Sequence, residues 1–251
     1  MNQKRLLSCM KQPVALRCFD EIDSTNREAK DWVRAGSPLP AAVLADGQTA
    51  GRGRRGRSFF SPQGGLYLSL IVASDGDAPG QLTTLAAVAV RRAVLQVCGI
   101  PLSIKWVNDL LHEGRKVAGI LVEGVMVGDV LSRAVIGIGL NLGPADFPEN
   151  IAGAAGTLYR PGQRVDRERL AAAIMDGLLE GLPCMPAHIQ EYSRHCITLG
   201  RTVRFEHHGR TMTGQAREVL QDGSLSVDTP EGPLRLMAGE VSVRGADGRY
   251  F

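Results

Sequence analysis

Four arginines and three glycines fill the seven positions from Gly51 to Arg57. Four like charges repel one another, and glycine loses the most backbone entropy on ordering, so this loop is poorly suited to fold alone. An anion would order it, because arginine forks neutralise phosphate oxygens and backbone N–H groups approach closely where no Cβ intervenes. The composition therefore predicts a loop that binds a small anionic ligand.

Two other interpretations of this loop are possible. An arginine cluster is also typical of a solvated face or a nucleic-acid contact, but the net charge is only +3, which makes the positive field local. The spacing Gly51-x-Gly53-x-x-Gly56 matches the dinucleotide fingerprint, which requires a helix directly after the glycines. Residues 58–65 have the composition of a turn instead, so we reject the dinucleotide interpretation.

A lysine and three glycines form a second group of candidates. Lys105 lies in an apolar segment beside Trp106; it is either a snorkelling lysine on an edge strand or a desolvated charge directed at a carboxylate or phosphate. Glycines recur inside two apolar runs, at Gly119, Gly137 and Gly139. They predict a slot that a ligand enters, although tight packing of a helix on the sheet explains them nearly as well.

The surrounding patterns predict the elements that position these residues. Strands are predicted over 14–19, 41–45, 66–72, 104–109, 117–127 and 130–142. Helices are predicted from Ser24 with a capping box at Thr25 and Glu28 and a final Gly36, over 82–97, from an Asp166 cap through residue 178, and over 187–195. This predicts an α/β domain over residues 1–197, with a mixed central sheet flanked by helices.

The pattern changes near Leu199 to short strands separated by glycine-containing turns. The predicted strands are 203–206, 212–219, 224–228, 233–237 and 241–243, a rhythm typical of a small β-barrel. We therefore expect a second domain over residues 198–251.

The five cysteines are scattered and have no C-x-x-C spacing. They are typical of reduced thiols in a cytoplasmic protein and not of a disulfide framework or a zinc site. No apolar run approaches membrane-spanning length, and the histidines have no metal-ligand spacing. We expect a cytoplasmic protein with no membrane contact and no protein-bound metal.

Taken together, the motifs resemble those of the biotin–protein ligases (biotin–[acetyl-CoA carboxylase] ligases). The resemblance covers most of the chain and rests on Ser24-Thr25-Asn26, residues 48–57, Lys105-Trp106-x-Asn108-Asp109, Lys116-x-Ala118-Gly119 through Glu123, and Gly137-x-Gly139-x-Asn141. It is weaker in the C-terminal region, which is similar to the SH3-like domain of the family. Two positions depart from the family pattern: Val107 replaces a proline, and Phe59 replaces a tryptophan.

The resemblance implies a class II synthetase-like core that activates biotin with ATP, accompanied by Mg²⁺. The implied biotin-binding residues are Ser24, Thr25, Asn26, Gln48, Gly51, Arg52, Lys105 and Gly119. The implied ATP- and adenylate-binding residues are Arg52, Arg54, Arg55, Arg57, Phe59, Lys105, Asn108, Asn141 and Arg244. Lys105 and Arg54 are the implied catalytic residues.

The resemblance also implies a protein partner, a biotin carboxyl carrier protein of acetyl-CoA carboxylase or a related carboxylase. The first predicted strand begins near Val14 and leaves no room for a DNA-binding helix-turn-helix, so we expect the short form that does not bind DNA. The oligomeric state stays open and includes a weak homodimer.

Two alternatives remain. A lipoate or octanoate protein ligase shares the fold, but we would not expect the Gly51–Arg57 string there. A nucleic-acid-binding module is disfavoured by the 5% aromatic content, with no aromatic residues interleaved among the arginines.

Overall fold

The computed structural model describes residues 1–74, 79–127, 130–143, 145–159, 165–207, 209–237 and 244–245. The larger of two sheets has seven strands, in the order β1-β2-β3-β7-β6-β5-β4. Its strands are β1 (Ala15–Ile22), β2 (Ala41–Gln48), β3 (Leu66–Ala73), β4 (Ser103–Lys105), β5 (Asp109–His112), β6 (Arg115–Val127) and β7 (Val130–Leu140). Strands β1 and β2 are parallel, and the other neighbours are antiparallel. The predicted mixed sheet flanked by helices is confirmed.

Six α-helices accompany the sheets in the described residues: α1 (Gln3–Cys9), α2 (Thr25–Arg34), α3 (Pro79–Cys98), α4 (Glu149–Ala152), α5 (Arg167–Gly181) and α6 (Ile189–His195). Asp166 caps α5 as predicted, since its carboxylate accepts a hydrogen bond from the Arg169 N–H. The sequence did not predict α1. Within the described residues, no helix has the length and apolar character needed to span a membrane.

The two faces of the sheet are covered unequally. On β3, Leu66, Leu68 and Leu70 belong to the main core beneath α3 and α5, whereas Ile71 belongs to a small cluster beneath α2. This division follows from the alternation of side chains along a strand. Helix α2 covers only part of its face, so the glycine-containing segments of β6 and β7 border a cleft there.

Two local predictions were wrong. Thr25 does not cap α2: Ser24 is the N-cap and makes no side-chain cap bond, while the Thr25 hydroxyl bonds Gln48. The predicted strand 104–109 is a hairpin, because β4 ends at Lys105, which pairs with Asp109 at the start of β5. Residues 106–108 form the turn between them.

The C-terminal strands form a separate five-stranded antiparallel sheet in the order β11-β10-β9-β8-β12. Their bounds are β8 (Thr202–His207), β9 (Arg210–Val219), β10 (Leu225–Thr229), β11 (Gly232–Leu236) and β12 (Arg244–Gly245). In the part of the chain that the structure describes, β11 and β12 do not pair to close the sheet into a barrel. The predicted strand 241–243 lies outside the described residues.

Candidate active site

A cleft of about 150 Å³ opens on the sheet face beside α2. The start of α2, the end of β2, the arginine loop, the β4–β5 turn, β6 and β7 all contribute to its walls. Eleven of the predicted site residues line it: Ser24, Thr25, Asn26, Gln48, Arg52, Arg54, Arg57, Phe59, Lys105, Asn108 and Gly119. The fold therefore brings together predicted site residues that lie up to 95 positions apart in the sequence, from Ser24 to Gly119.

Four predicted residues are not among those that line the cleft. Gly51 is held in the base of the loop, where a Cβ would lie 2.4 Å from the Phe59 carbonyl oxygen. Arg55 is exposed at the loop tip, with φ 58°. Asn141 is buried and donates its amide N–H to the Gly156 carbonyl. Arg244 belongs to β12, but its side chain lies outside the described residues.

One end of the cleft is lined by amide and hydroxyl groups in a fixed arrangement. The Gln48 side-chain oxygen accepts from the Thr25 backbone N–H at 2.8 Å, and its amide nitrogen donates to Ser61 Oγ at 2.9 Å. Ser69 Oγ donates to Asn26 Oδ1 at 2.6 Å. Because each amide has partners on both sides, its orientation is set before any ligand binds.

An ion pair supports this polar end from behind. Glu123 accepts from Asn26 Nδ2 at 2.8 Å and from Lys30 Nζ at 2.6 Å. Burial by itself would raise the pKa of the Glu123 carboxyl, but the hydrogen bonds from Lys30 and Asn26 outweigh it and hold that pKa below its usual value. Glu123 is therefore ionised at neutral pH and keeps Asn26 in place.

Glycines on β6 and β7 admit groups that a side chain would exclude. Gly119 and Gly139 are paired across the two strands, and Cβ atoms there would lie 2.9 Å and 2.5 Å from the Phe59 ring. A Cβ at Gly137 would lie 2.0 Å from Asn26 Oδ1. In this structure, Phe59 and Asn26 thus approach the glycines most closely, and Lys116 Nζ would lie 3.1 Å from a Cβ at Gly119.

Two lysines, not one, reach the cleft. Lys105 is 5% exposed at the end of β4. Lys116, which the sequence-based set of site residues did not include, places Nζ 5.4 Å from the Phe59 ring centroid and 2.5 Å from Asp109 Oδ1. In a regular strand, residues 116 and 119 would lie on opposite faces of β6. The pairing of β5 with β6 shifts register at Leu110/Leu111, and Lys116 lies close to Gly119 instead. The sequence signal for Lys116 is its place in the motif Lys116-x-Ala118-Gly119, which carried the family resemblance without a site role for this lysine.

The arginine loop folds as a short hairpin at the rim of the cleft. The Gly53 N–H donates to the Arg57 carbonyl at 2.7 Å, and the Phe59 N–H to the Gly51 carbonyl at 2.9 Å. Arg54 Nη1 donates to Asn108 Oδ1 at 2.9 Å and so ties the loop to the β4–β5 turn. Burial lowers the pKa of the Arg54 guanidinium, and nearby Asp109 opposes that shift.

The cleft thus joins a polar region to a cationic one around Asp109, where Arg54, Lys105 and Lys116 lie, and Arg52 and Arg57 also line the cleft. Such an arrangement can bind a ligand that has an uncharged polar head group at one end and a carboxylate at the other. The carboxylate can then react with a phosphate, since fixed cations stabilise the negative charge that develops during that reaction. Among the described residues, no group of three or more His, Cys, Asp or Glu side chains could hold a metal ion.

Comparison with known proteins agrees with this geometry. Residues 18–141 match the model of the biotin/lipoate A/B protein ligase family. The chain is 43% identical to the biotin--[acetyl-CoA-carboxylase] ligase of Paracoccus denitrificans over 89% of this chain and 98% of that protein. It is 33% identical to the bifunctional ligase/repressor BirA of Bacillus subtilis, over 89% and 72% of the two chains.

Solved structures show the same architecture. The biotin protein ligase of Aquifex aeolicus in complex with biotin and ATP superposes with a TM-score of 0.77 at 29% identity, covering 92% of this chain and 99% of that one. Sequence and fold therefore agree over about nine tenths of the chain, and the chain belongs to the biotin protein ligase family.

Proposed function

We propose that this protein activates biotin with ATP to biotinyl-5′-adenylate and transfers the biotinyl group to one lysine of a biotin carboxyl carrier protein. The observation that carries the proposal is the cleft itself, which combines preset amide and hydroxyl groups with five cationic side chains among its lining residues. The Paracoccus relative and the Aquifex complex with biotin and ATP support the same activity.

The polar end suits the ureido ring of biotin, which presents one carbonyl acceptor and two N–H donors. Ser24, Thr25, Asn26 and Gln48 offer both donors and acceptors within one small region. A bicyclic ligand of this kind needs a slot with few, well-placed polar groups. We assign these residues to the biotin head group, with Gly119 and Arg52 beside the ligand chain.

The cationic end suits the reacting groups. The biotin carboxylate oxygen attacks the α-phosphorus of ATP, an O–P bond forms, and pyrophosphate leaves. Both reactants are anionic, so Lys105 and Arg54, joined by Lys116, lower the barrier by stabilising negative charge as it develops. Mg²⁺ bound to ATP would be held mainly by phosphate oxygens and would add positive charge at the reacting group, so it would require no preformed metal cage on the protein.

The loop hairpin has a protective role in this proposal. Biotinyl-adenylate is a mixed anhydride that water hydrolyses, so the site must exclude solvent until the acceptor arrives. Arg54 bridges the loop to Asn108, and Phe59 lies against Gly119 and Gly139. We assign Arg57 to the phosphates and the Phe59 ring to a stacking contact with the ligand. The proposed roles of Arg55, Asn141 and Arg244 toward ATP remain predictions.

Transfer needs no nucleophile from the ligase. The neutral amine of the carrier lysine attacks the acyl carbon, an amide bond forms, AMP leaves, and the amine releases its proton. The ligase holds the anhydride in position, which by itself accelerates a reaction between two bound partners. A Ser-His-Asp arrangement is therefore unnecessary.

Thermal unfolding tests the proposed activation step. Biotin plus MgATP should raise the unfolding temperature far more than either alone, because a tightly held product stabilises the folded state by mass action. Lipoate plus MgATP is the matched control, since the family model covers both kinds of ligase. Equal shifts with biotin alone and with biotin plus MgATP, or a larger shift with lipoate plus MgATP, would contradict the proposal.

A further inference from the structure

The turn between β9 and β10 is a rigid element that reaches from the C-terminal sheet to the catalytic domain. The Leu220 N–H donates to the Ser224 carbonyl, and the Gly223 N–H to the Leu220 carbonyl, both at 2.8 Å. The Asp222 carboxylate accepts from the Ser224 N–H at 3.1 Å and from its hydroxyl at 2.6 Å. The turn therefore holds its own shape.

Gly223 forms the contact surface of this turn. Its carbonyl accepts from Trp106 Nε1 at 3.0 Å, and both groups are buried. A Cβ at Gly223 would lie 2.4 Å from the backbone carbonyl carbon of Gly80, near the start of α3. The contact is backbone against backbone, so it has no room to adjust.

Trp106 and Val107 are also held from the other side. The Trp106 backbone N–H donates to Thr198 Oγ1 at 3.0 Å, and the Tyr192 hydroxyl donates to the Val107 carbonyl at 3.0 Å. Tyr192 is fully buried. Every one of these partners belongs to the part of the chain from α6 onward.

The held residues lie between two groups of the proposed site. Lys105 immediately precedes Trp106, and Asn108 follows Val107 and accepts from Arg54. We propose that the turn 220–224 is a positioning element for adenylation: through Trp106 it sets the locations of Lys105 and Asn108, so the turn contributes to catalysis without itself touching the substrate. This inference rests on the proposed function, and it makes Gly223, Thr198 and Tyr192 positioning residues.

Two alanine variants distinguish positioning from general stabilisation. Gly223→Ala and Gly209→Ala both place a Cβ at positive φ, 81° and 76° respectively, in the same sheet. Only the Gly223 variant meets a neighbour, because nothing lies within 4 Å of a Cβ at Gly209. Both variants therefore suffer the same kind of backbone strain, but only Gly223→Ala displaces the turn from Trp106.

The measurements are steady-state pyrophosphate exchange, biotin affinity and unfolding midpoint, each in a Trp32→Phe background in which Trp106 is the sole tryptophan. We expect Gly223→Ala to lower kcat about 10²-fold, as a small misplacement of reacting groups does. Biotin affinity should stay near that of Gly209→Ala, and Trp106 emission should shift to the red. Gly209→Ala should keep the kcat of the parent.

The inference is overturned if Gly223→Ala and Gly209→Ala have the same kcat, or if the loss in Gly223→Ala is matched by equal losses of biotin affinity and unfolding midpoint. A parent protein that exchanges no pyrophosphate would contradict the proposed function instead. The two failures are therefore distinguishable.

Discussion

For single residues, the rate of adenylate formation in the cleft depends on which cations face the reacting atoms. Lys105→Ala should lower the rate of adenylate formation by about 10²–10³, the usual effect of removing a group that stabilises developing charge. Pyrophosphate release measures this rate, and Lys11→Ala is the control, because Lys11 is an exposed lysine paired with Glu180. Near-normal release from Lys105→Ala would remove Lys105 from the mechanism and leave Lys116 as the lysine to test.

Glu123 makes the stability of the folded protein depend on pH. Its pKa in the folded protein lies below 4.5, since the hydrogen bonds from Lys30 and Asn26 outweigh the opposing effect of burial. The stability that its charge contributes is therefore fully present above pH 4.5 and is lost as pH falls through the lower folded-state pKa. Glu123→Gln keeps an acceptor for Asn26 but removes the charge that pairs with Lys30.

Urea unfolding of both proteins across pH 3–7 measures this contribution (pH range chosen about the usual carboxyl pKa). The wild-type midpoint should exceed that of Glu123→Gln above pH 4.5, and the difference should shrink at lower pH. A difference that is constant over the whole range would show that the charge of Glu123 does not stabilise the folded state.

Many of the residues that line the cleft were predictable because their motifs are local in sequence. The string from Gly51 to Arg57 and the segment Lys105 to Asn108 carry their chemistry in their own composition. Lys116 was missed because its orientation depends on a register shift between β5 and β6. Thr25 was misassigned as a cap because its actual partner, Gln48, lies 23 positions away.

At the scale of elements, the slot depends on the absence of side chains from two adjacent strands. Gly139→Ala should weaken biotin and ATP binding with little loss of fold, because its Cβ would lie 2.5 Å from the Phe59 ring and push the ring into the cleft. Gly143→Ala is the matched control just beyond β7, where nothing lies within 4 Å of a Cβ.

Isothermal titration of biotin into both glycine variants tests this expectation. Unchanged affinity in Gly139→Ala would show that the ring can move aside and that the slot is wider than the structure indicates. Equal losses in both variants would point to a general effect of replacing glycine near β7.

The strands and long helices were predictable from periodicity, but the break at residues 106–108 was not. Because Trp106 and Val107 are apolar, the sequence pattern predicts that the strand continues through them. They are buried in a turn instead, held by Thr198, Tyr192 and Gly223. Contacts over 85 positions or more decide that local conformation, and a local pattern cannot contain them.

At the scale of the whole molecule, the two sheets are connected through Trp106. A chain truncated after residue 197 loses both the Thr198 hydroxyl and the Gly223 carbonyl that hold this side chain. We expect the remnant to bind biotin weakly, with lower turnover and a higher KM for ATP or the carrier. Full ligase activity in a folded 1–197 chain would show that the C-terminal sheet is dispensable.

Glycine-containing turns allowed the strands of the second sheet to be predicted, but not whether that sheet closes into a barrel. The regular spacing of short apolar segments between turns predicted strands β8 to β11. Whether those strands close into a barrel depends on pairing between residues far apart in sequence, which a strand pattern does not specify.

The central claim, activation of biotin and its transfer to a carrier, is tested most directly by incubating the protein with MgATP, labelled biotin and a biotin carboxyl carrier domain. We expect stoichiometric labelling of the domain at one lysine, dependence on ATP, and no labelling when that lysine is replaced by arginine. Labelled lipoate should not be transferred. Transfer of lipoate in preference to biotin, or no transfer of biotin by a folded protein, would contradict the account.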